Sequence, residues 1–382
     1  MKINTKINIL VICFALLCAN AIPNVEAAIG VNYTANQSKV YKNGTEIKLK
    51  GINFFGFETT DLTLHGLWAR NWKSMIQQIK TTGFNAVRLP FCPKALKANP
   101  VSTIDYTLNP DLVGLNSLQL FDKVINELNS NQIYILLDHQ RPDCLAISEK
   151  WYTPTYSENQ WINDLRFVAK RYANKEYFFG IDLKNEPHES ATWGTGNKLT
   201  DWNLAAERAG KAVLSTNPNL LIFVEGVSKN PSCLTLTENY WGGNLEPYNC
   251  KPINYSFIPK NKLVFSPHVY GPDVFLHNYH NSPAFPSNLS GIWDTHFGFL
   301  HTTKNENVII GEFGGKYGAG NPKDVQYQDT LVNYMINKKM CNSFYWAWNA
   351  NSGDTNGILN SDWQTINSSK VSLLNKLYTD CQ

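Results

Sequence analysis

The sequence has no run of basic residues and little charge of either sign: 17% of its 382 residues are charged, with a net charge of +3. That excludes the basic footprint of a nucleic-acid binder. It contains no CxxC and no HxxxH pair, so the familiar metal-ligand spacings are missing. Beyond the N-terminus no apolar stretch approaches membrane-spanning length. No linker rich in Pro, Ser or Thr follows residue 349, so an appended binding module is not expected. What is present is 43% hydrophobic residues, enough for one large barrel or two ordinary domains. There are also 11 Trp and 13% aromatic residues. Such an excess suits a site that stacks flat ligands, although a large core could absorb part of it.

The first residues carry Lys2 and Lys6, then an apolar run over 9–18, then Val25-Glu26-Ala27 with small or branched side chains at the cleavage positions. This reads as a secretory signal peptide over 1–27, cut near Ala27, with a mature chain over 28–382 that is exported. Cys18 as a lipid anchor is disfavoured by the bulky Leu17 before it. Cys13 and Cys18 leave with the signal, and the remaining Cys92, Cys144, Cys233, Cys250, Cys341 and Cys381 are even in number, as disulfides in an exported chain require. Sequons at Asn32, Asn36, Asn43, Asn254, Asn288 and Asn367 matter only in a host that glycosylates.

Apolar runs with strand character recur at 47–56 (IKLKGINFFG), 86–91 (AVRLPF), 134–140 (YILLDHQ), 180–187 (GIDLKNEP), 221–226 (LIFVEG), 263–271 (LVFSPHVYG), 308–315 (VIIGEFGG) and 343–349 (SFYWAWN). Segments at 71–82, 116–131, 158–174, 202–215 and 324–338 show helical spacing. The alternation predicts a single-domain α/β fold, a (β/α)8 TIM barrel. Long loops over 226–262 and 270–299 are expected to wall a cleft. On this topology Cys233 pairs with Cys250 within one long loop, Cys92 with Cys144 after neighbouring strands, and Cys341 with Cys381 at the C-terminus.

Glu186 and Glu312 each end an apolar run and are followed by Pro187 or by Gly314-Gly315. Proline stops a strand and glycine lets a ligand come close. Carboxylates are not placed at strand ends for packing, and in a (β/α)8 barrel those ends form the catalytic face. Two such carboxylates suggest paired acid/base chemistry. Arg88, Asp138-His139-Gln140, Asn185, His268, Tyr270 and Trp346 fall at strand ends in the same register. Taken singly each has a plain reading: a structural ion pair for Arg88, a satisfied core histidine for His268, barrel packing for Trp346.

Taken together, the stretches GINFFGFE, HGLWARNW, VRLPFCP, LKNEPHESATWGTG, NPNLLIFVEG, YWGGNL, PHVYGPDVF, GEFGGKYG and WAWNANSGDTNGIL closely resemble glycoside hydrolase family 5, and within it the bacterial endoglucanases, from about residue 47 to 365. The resemblance implies a retaining mechanism on a cellulose-type β-glucan, with no metal or other cofactor and a monomeric enzyme. By the same resemblance Glu186 is the general acid/base and Glu312 the nucleophile. Asn185 holds the sugar 2-hydroxyl, Arg88 and Tyr270 hydrogen-bond the nucleophile, and His268 lies beside the acid/base. Trp346 is the stacking floor at the cleaved sugar, and Trp68 and Trp241 are platforms for neighbouring glucoses. Arg88 beside Glu312 is expected to keep it ionised, while Glu186 needs a less positive setting. One position departs from the family pattern: Gln140 stands where a histidine is usual. Gln140 can donate to a sugar hydroxyl but cannot titrate. His139 either faces the helices by strand alternation or turns to the sugar at a bulge. A related enzyme for mannan or mixed-linkage glucan, and a sugar-binding relative without catalysis, remain alternatives.

Overall fold

A computed structural model of the protein describes residues 30–229 and 239–381. The expected signal peptide and Cys233 lie outside the described residues. The first elements form an antiparallel sheet of β1 (Tyr33–Asn36), β2 (Lys39–Lys42) and β3 (Thr45–Ile47). Gln37-Ser38 and Asn43-Gly44 all take positive φ, the backbone that two-residue hairpin turns need.

A parallel sheet follows: β4 (Lys50–Asn53), β5 (Ala86–Phe91), β6 (Tyr134–His139), β7 (Phe178–Asp182), β8 (Leu221–Val224), β9 (Leu263–Phe265), β10 (His268–Tyr270), β11 (Ile310–Gly314) and β12 (Ser343–Tyr345). Its order is β10-β11-β12-β4-β5-β6-β7-β8-β9. β9 and β10 are one barrel strand interrupted at Ser266-Pro267, because Pro267 has no N–H to give a ladder. A parallel bridge from Phe265 to Val308, and the bonds Ile309 N–H to Phe265 O and Gly311 N–H to Pro267 O, close the ring. This is the expected (β/α)8 architecture.

The outer layer holds α1 (Trp72–Thr81), α2 (Ser117–Ser130), α3 (Glu158–Arg171), α4 (Trp202–Thr216), α5 (Leu289–Trp293), α6 (Phe299–Thr302), α7 (Lys323–Lys338) and α8 (Ser368–Asp380). Caps set several starts. Asn71 accepts from the Lys73 and Ser74 N–H groups, and Asn116 with Gln119 and Ser157 with Gln160 form capping boxes. The helices bury Trp72, Met75, Ile76 and Ile79, or Leu120, Phe121, Val124, Ile125 and Leu128, against the outward faces of the strands.

Inside the barrel the lower layer is apolar: Ala86, Leu136, Phe179, Leu221, Phe223, Val264, Ile309 and Phe344 pack with Tyr33, Ala35 and Val40 of the N-terminal sheet. That sheet closes one end of the barrel. The same inward rows continue upward into polar residues, Ala86 to Arg88, Leu136 to Asp138, Phe223 to Glu225. The other end is therefore the chemical one.

Two expectations need correction, and one element was not foreseen. The first barrel strand is β4, not 47–56, because Leu49 turns into the lower core and Ile47 belongs to the hairpin. The segment 270–299 is not a plain loop, since α5 and a π turn at Asp294–Gly298 lie in it. Helix α8, with Leu373, Leu374 and Leu377 buried, adds a layer after the last strand.

Cys92–Cys144 and Cys341–Cys381 are bonded, with Cα atoms 5.2 and 5.4 Å apart. The third expected pair, Cys233 with Cys250, falls partly outside the described residues. Cys341–Cys381 closes a separation of 40 residues and ties α8 to the barrel. Replacing both by serine is expected to lower unfolding free energy by about 3–4 kcal/mol, read from urea midpoints. A loss below about 1 kcal/mol would show that α8 holds without the bond.

Candidate active site

Arg88 is fully buried at the inward face of β5. Its guanidinium donates to Asp182 Oδ2 (3.1 Å), Asn53 Oδ1 (3.1 Å), Asn185 Oδ1 (3.1 Å), Glu225 Oε1 (3.3 Å) and Glu312 Oε1 (2.5 Å). Nη2 also lies 3.1 Å from Asp138 Oδ1. Burial disfavours its charge, but Asp138, Glu312, Asp182 and Glu225 more than offset this, so the group stays cationic.

Glu312 stands on β11 in register with His268. His268 and Tyr270 are two residues apart on β10 and so face the same side. The Tyr270 hydroxyl donates to Glu312 Oε2 at 2.7 Å. His268 Nδ1 is 3.0 Å from Glu186 Oε1 and 3.5 Å from Glu312 Oε2. A Glu186 oxygen, a His268 nitrogen and a Glu312 oxygen all lie within 4.8 Å of one another. Glu186 follows β7 with φ +53°, a left-handed backbone uncommon for a side chain of its size.

The electrostatics are a balance. Burial raises Glu312 above the ordinary carboxylate value, against the pull of His268 and Arg88. For Glu186 burial also pushes upward, but the hydrogen bond and charge of His268 outweigh it and draw it below its usual value. This is the reverse of the order expected from the sequence. The contacts argue for charge on Glu312 all the same: Arg88 can only donate, and one oxygen of Glu312 takes its bond while the other takes that of Tyr270. His268 is held well above the usual histidine range; burial opposes its charge, and Glu225 and Glu312 outweigh burial. Below the pair, burial raises Asp138, Asp182 and Glu225, against the pull of Arg88 and, for the last two, of His268. Burial lowers Lys184 to about 8.

Two three-residue sets, Asp182–Glu225–His268 and Glu186–His268–Glu312, have metal-like spacing among the described residues. Arg88 donates into the first set at both carboxylates, so the protein itself supplies the positive charge there.

A cleft of about 670 Å³ opens over this centre. Glu186, Glu312, Tyr270, Gln140, Trp346 and Trp241 line it, with Phe55, Tyr240 and Phe275. Trp346 stacks on Phe55, ring centroids 5.4 Å apart and 12° from parallel. Trp241 is 44% exposed and stacks on His188 at 3.8 Å. Asn185 is buried, its Oδ1 held by Arg88 and its Nδ2 without a hydrogen-bond partner.

One expected contact residue stands elsewhere. His139 faces outward: its Nε2 is 3.0 Å from the Tyr156 hydroxyl, and its ring packs against Tyr156 and Phe91. Strand alternation, not a bulge, decides this, since Leu137 and His139 share the helix side and Asp138 and Gln140 straddle it in turn. Trp68 is half-buried and packs edge-on against His65, which lines the cleft, and against Trp363. The sequence reading passed over Asn53, Asp182 and Glu225. Their signal was the inward row of each strand, Leu221-Phe223-Glu225 most plainly.

The family model for cellulase, glycosyl hydrolase family 5, matches residues 40–352. The chain is 53% identical over 350 residues to the major extracellular endoglucanase of Xanthomonas campestris pv. campestris, covering 91% of this chain and 71% of that protein. It is 43% identical over 349 residues to an endoglucanase of Paenibacillus polymyxa, covering 91% and 87%. It superposes on the catalytic domain of the Xanthomonas enzyme with a TM-score of 0.88 at 52% identity, over 91% of this chain and 99% of that one. A cellotetraose complex of the endocellulase from Pyrococcus horikoshii aligns with a TM-score of 0.88 at 46% identity, over 91% and 99%. On fold, site and sequence alike, the chain belongs to glycosyl hydrolase family 5, the cellulase family.

Proposed function

We propose that the protein is a secreted endo-β-1,4-glucanase that cleaves cellulose-type glucan with retention of configuration. The observation that carries the mechanism is the approach of Glu186 and Glu312 oxygens within 4.8 Å. Retaining enzymes hold their carboxyls roughly 5–5.5 Å apart, whereas inverting ones leave about 6.5–9.5 Å for a water.

Glu312, its oxygens fixed by Arg88 and Tyr270, attacks the anomeric carbon. Glu186 protonates the departing oxygen. Ester formation removes the Glu312 charge, after which Glu186, now ionised, takes a proton from the water that releases the sugar. Asn185 Nδ2 is the donor for the 2-hydroxyl. The Trp346 and Trp241 indoles offer flat apolar faces to the CH groups of glucose. Export rests on the N-terminal pattern and on the extracellular Xanthomonas relative. Reducing-sugar release from carboxymethylcellulose, lichenan and mannan tests the substrate. NMR of the first product anomer tests retention. Preference for mannan, or a first product of inverted configuration, would sink the reading.

Gln140 faces the cleft with a buried, unpartnered Oε1, while His139 is bonded to Tyr156. Gln140→Ala is therefore expected to lower kcat/KM about three- to tenfold, the worth of one neutral hydrogen bond. Gln140→His should be tolerated. His139→Ala should keep kcat/KM and lower stability by about 1–3 kcal/mol through the lost bond and cavity. Activity loss in folded His139→Ala with none in Gln140→Ala would reverse the assignment.

A further inference from the structure

Glu225 lies just past β8, in the inward row of Leu221 and Phe223, and is fully buried. Its Oε2 accepts the main-chain N–H of Glu186 at 2.8 Å. Its Oε1 is 3.2 Å from His268 Nε2 and accepts from Arg88 Nη2 at 3.3 Å. Trp202 Nε1 donates to the Glu225 carbonyl at 2.8 Å and fixes the main chain. Gly242 closes over the carboxylate: a Cβ there would lie 2.1 Å from Glu225 Oε2. Glu225 thus touches the backbone of one carboxylate of the pair, the histidine between them and the arginine that holds the other.

The left-handed φ of Glu186 is costly for a residue with a Cβ and persists where surroundings over-determine it. The Glu225 bond to its N–H is such a restraint. His268 in turn reaches Glu186 and Glu312 through Nδ1. The other charged groups packed around Glu225 and His268 are Arg88, Asp138, Asp182 and Lys184.

We propose that Glu225 is a positioning residue for the acid/base limb: one oxygen fixes the main chain that aims Glu186, and the other pairs with the inner nitrogen of His268, the ring that lies between the two glutamates. This rests on the assignment of Glu186 as acid/base. Two variants separate the two oxygens. Glu225→Ala frees the Glu186 N–H and misaims the acid. Glu225→Gln keeps an acceptor for that N–H, but its amide NH₂ faces His268 Nε2, which must then accept as a neutral ring.

The test is kcat/KM against pH on two aryl β-cellobiosides, methoxyphenyl with a poor leaving group and dinitrophenyl with a good one. Glu225→Ala is expected to lose about 10–100-fold on the methoxyphenyl substrate and under about threefold on the dinitrophenyl one, because only the former needs the acid. Glu225→Gln is expected to move its pH profile upward by about half a unit or more, since both carboxylates lose a cationic neighbour. Equal losses on both substrates in folded Glu225→Ala, or a Glu225→Gln profile superimposable on wild type, overturn the proposal. If Glu225→Ala does not fold, the Glu225→Gln profile decides alone. Wild-type enzyme that cleaves neither substrate brings down the glucanase reading on which the acid/base assignment and the proposal rest. Wild-type activity with unaltered variants brings down the proposal only.

Discussion

Glu312→Ala is expected to lose at least about four orders of magnitude in kcat/KM, and azide is then expected to give an α-glycosyl azide from an activated substrate. The alanine opens space on the face that the nucleophile occupied, and a small anion enters from that side. Glu186→Ala differs in kind. With an activated leaving group it still forms the glycosyl-enzyme on Glu312, so azide replaces the deglycosylating water and gives the β-product. Both variants should fold. Arg88 keeps Asp182, Asp138 and Glu225 as partners when Glu312 is gone, and Glu186 is the more exposed of the two, at 14% against 4%. NMR of the azide products reads the outcome. The same anomer from both variants would exchange or abolish the two roles.

Much of the barrel is legible in the sequence because each strand is apolar on both faces below its polar tip. An inward Leu136 and an outward Leu137 leave a run that only a covered parallel strand uses. The N-terminal hairpins escaped this reading. Their strands are three or four residues long, and the first turn depends on left-handed Gln37 and Ser38, which are not strong turn formers; the second, Asn43-Gly44, is a strong turn signal that the reading passed over. The break at Ser266-Pro267 was legible in principle, because a proline cannot sit in a central ladder.

The site divides along the same line. Glu186, Glu312, Arg88, His268 and Tyr270 stand out because polar residues end apolar strands. The structure links all five through Glu312 and His268: Arg88 and Tyr270 bond Glu312, and His268 lies beside both Glu312 and Glu186. His139 shows the limit: the choice between two adjacent polar residues needs the register, and the register follows from Leu136 and Asp138 facing inward. Trp68 shows another. A tryptophan in a loop carries no period, so only packing against His65 and Trp363 reveals which way it faces. Asp182 and Glu225 are marked only by their place in the inward row of their strands, and their meaning comes from the buried guanidinium they share.

Arg88→Met is expected to lower unfolding free energy by about 3–5 kcal/mol at neutral pH, because it strips the counter-ion from a fully buried carboxylate cluster. Methionine fills most of the volume, so the loss is electrostatic rather than a cavity. Asp138, Asp182, Glu225 and Glu312 would face one another across the barrel axis with His268 and Lys184 as the remaining cationic neighbours. Their folded-state pKa values, already raised by burial, then rise further once the guanidinium stops opposing it. A raised folded pKa means the folded state binds more protons, so stability is retained below the unfolded carboxylate value and lost as pH climbs through the folded one. The deficit of Arg88→Met against wild type should therefore be smallest near about pH 4–5 and largest near about pH 8. Arg88→Lys should recover only part of it, since one ammonium cannot reproduce the fork to Asp182, Glu225 and Glu312. Urea midpoints measured across that range decide the matter. A deficit under about 1 kcal/mol, or one that does not grow with pH, would mean that the cluster is neutralised by shared protons and that Arg88 serves the Glu312 contact alone.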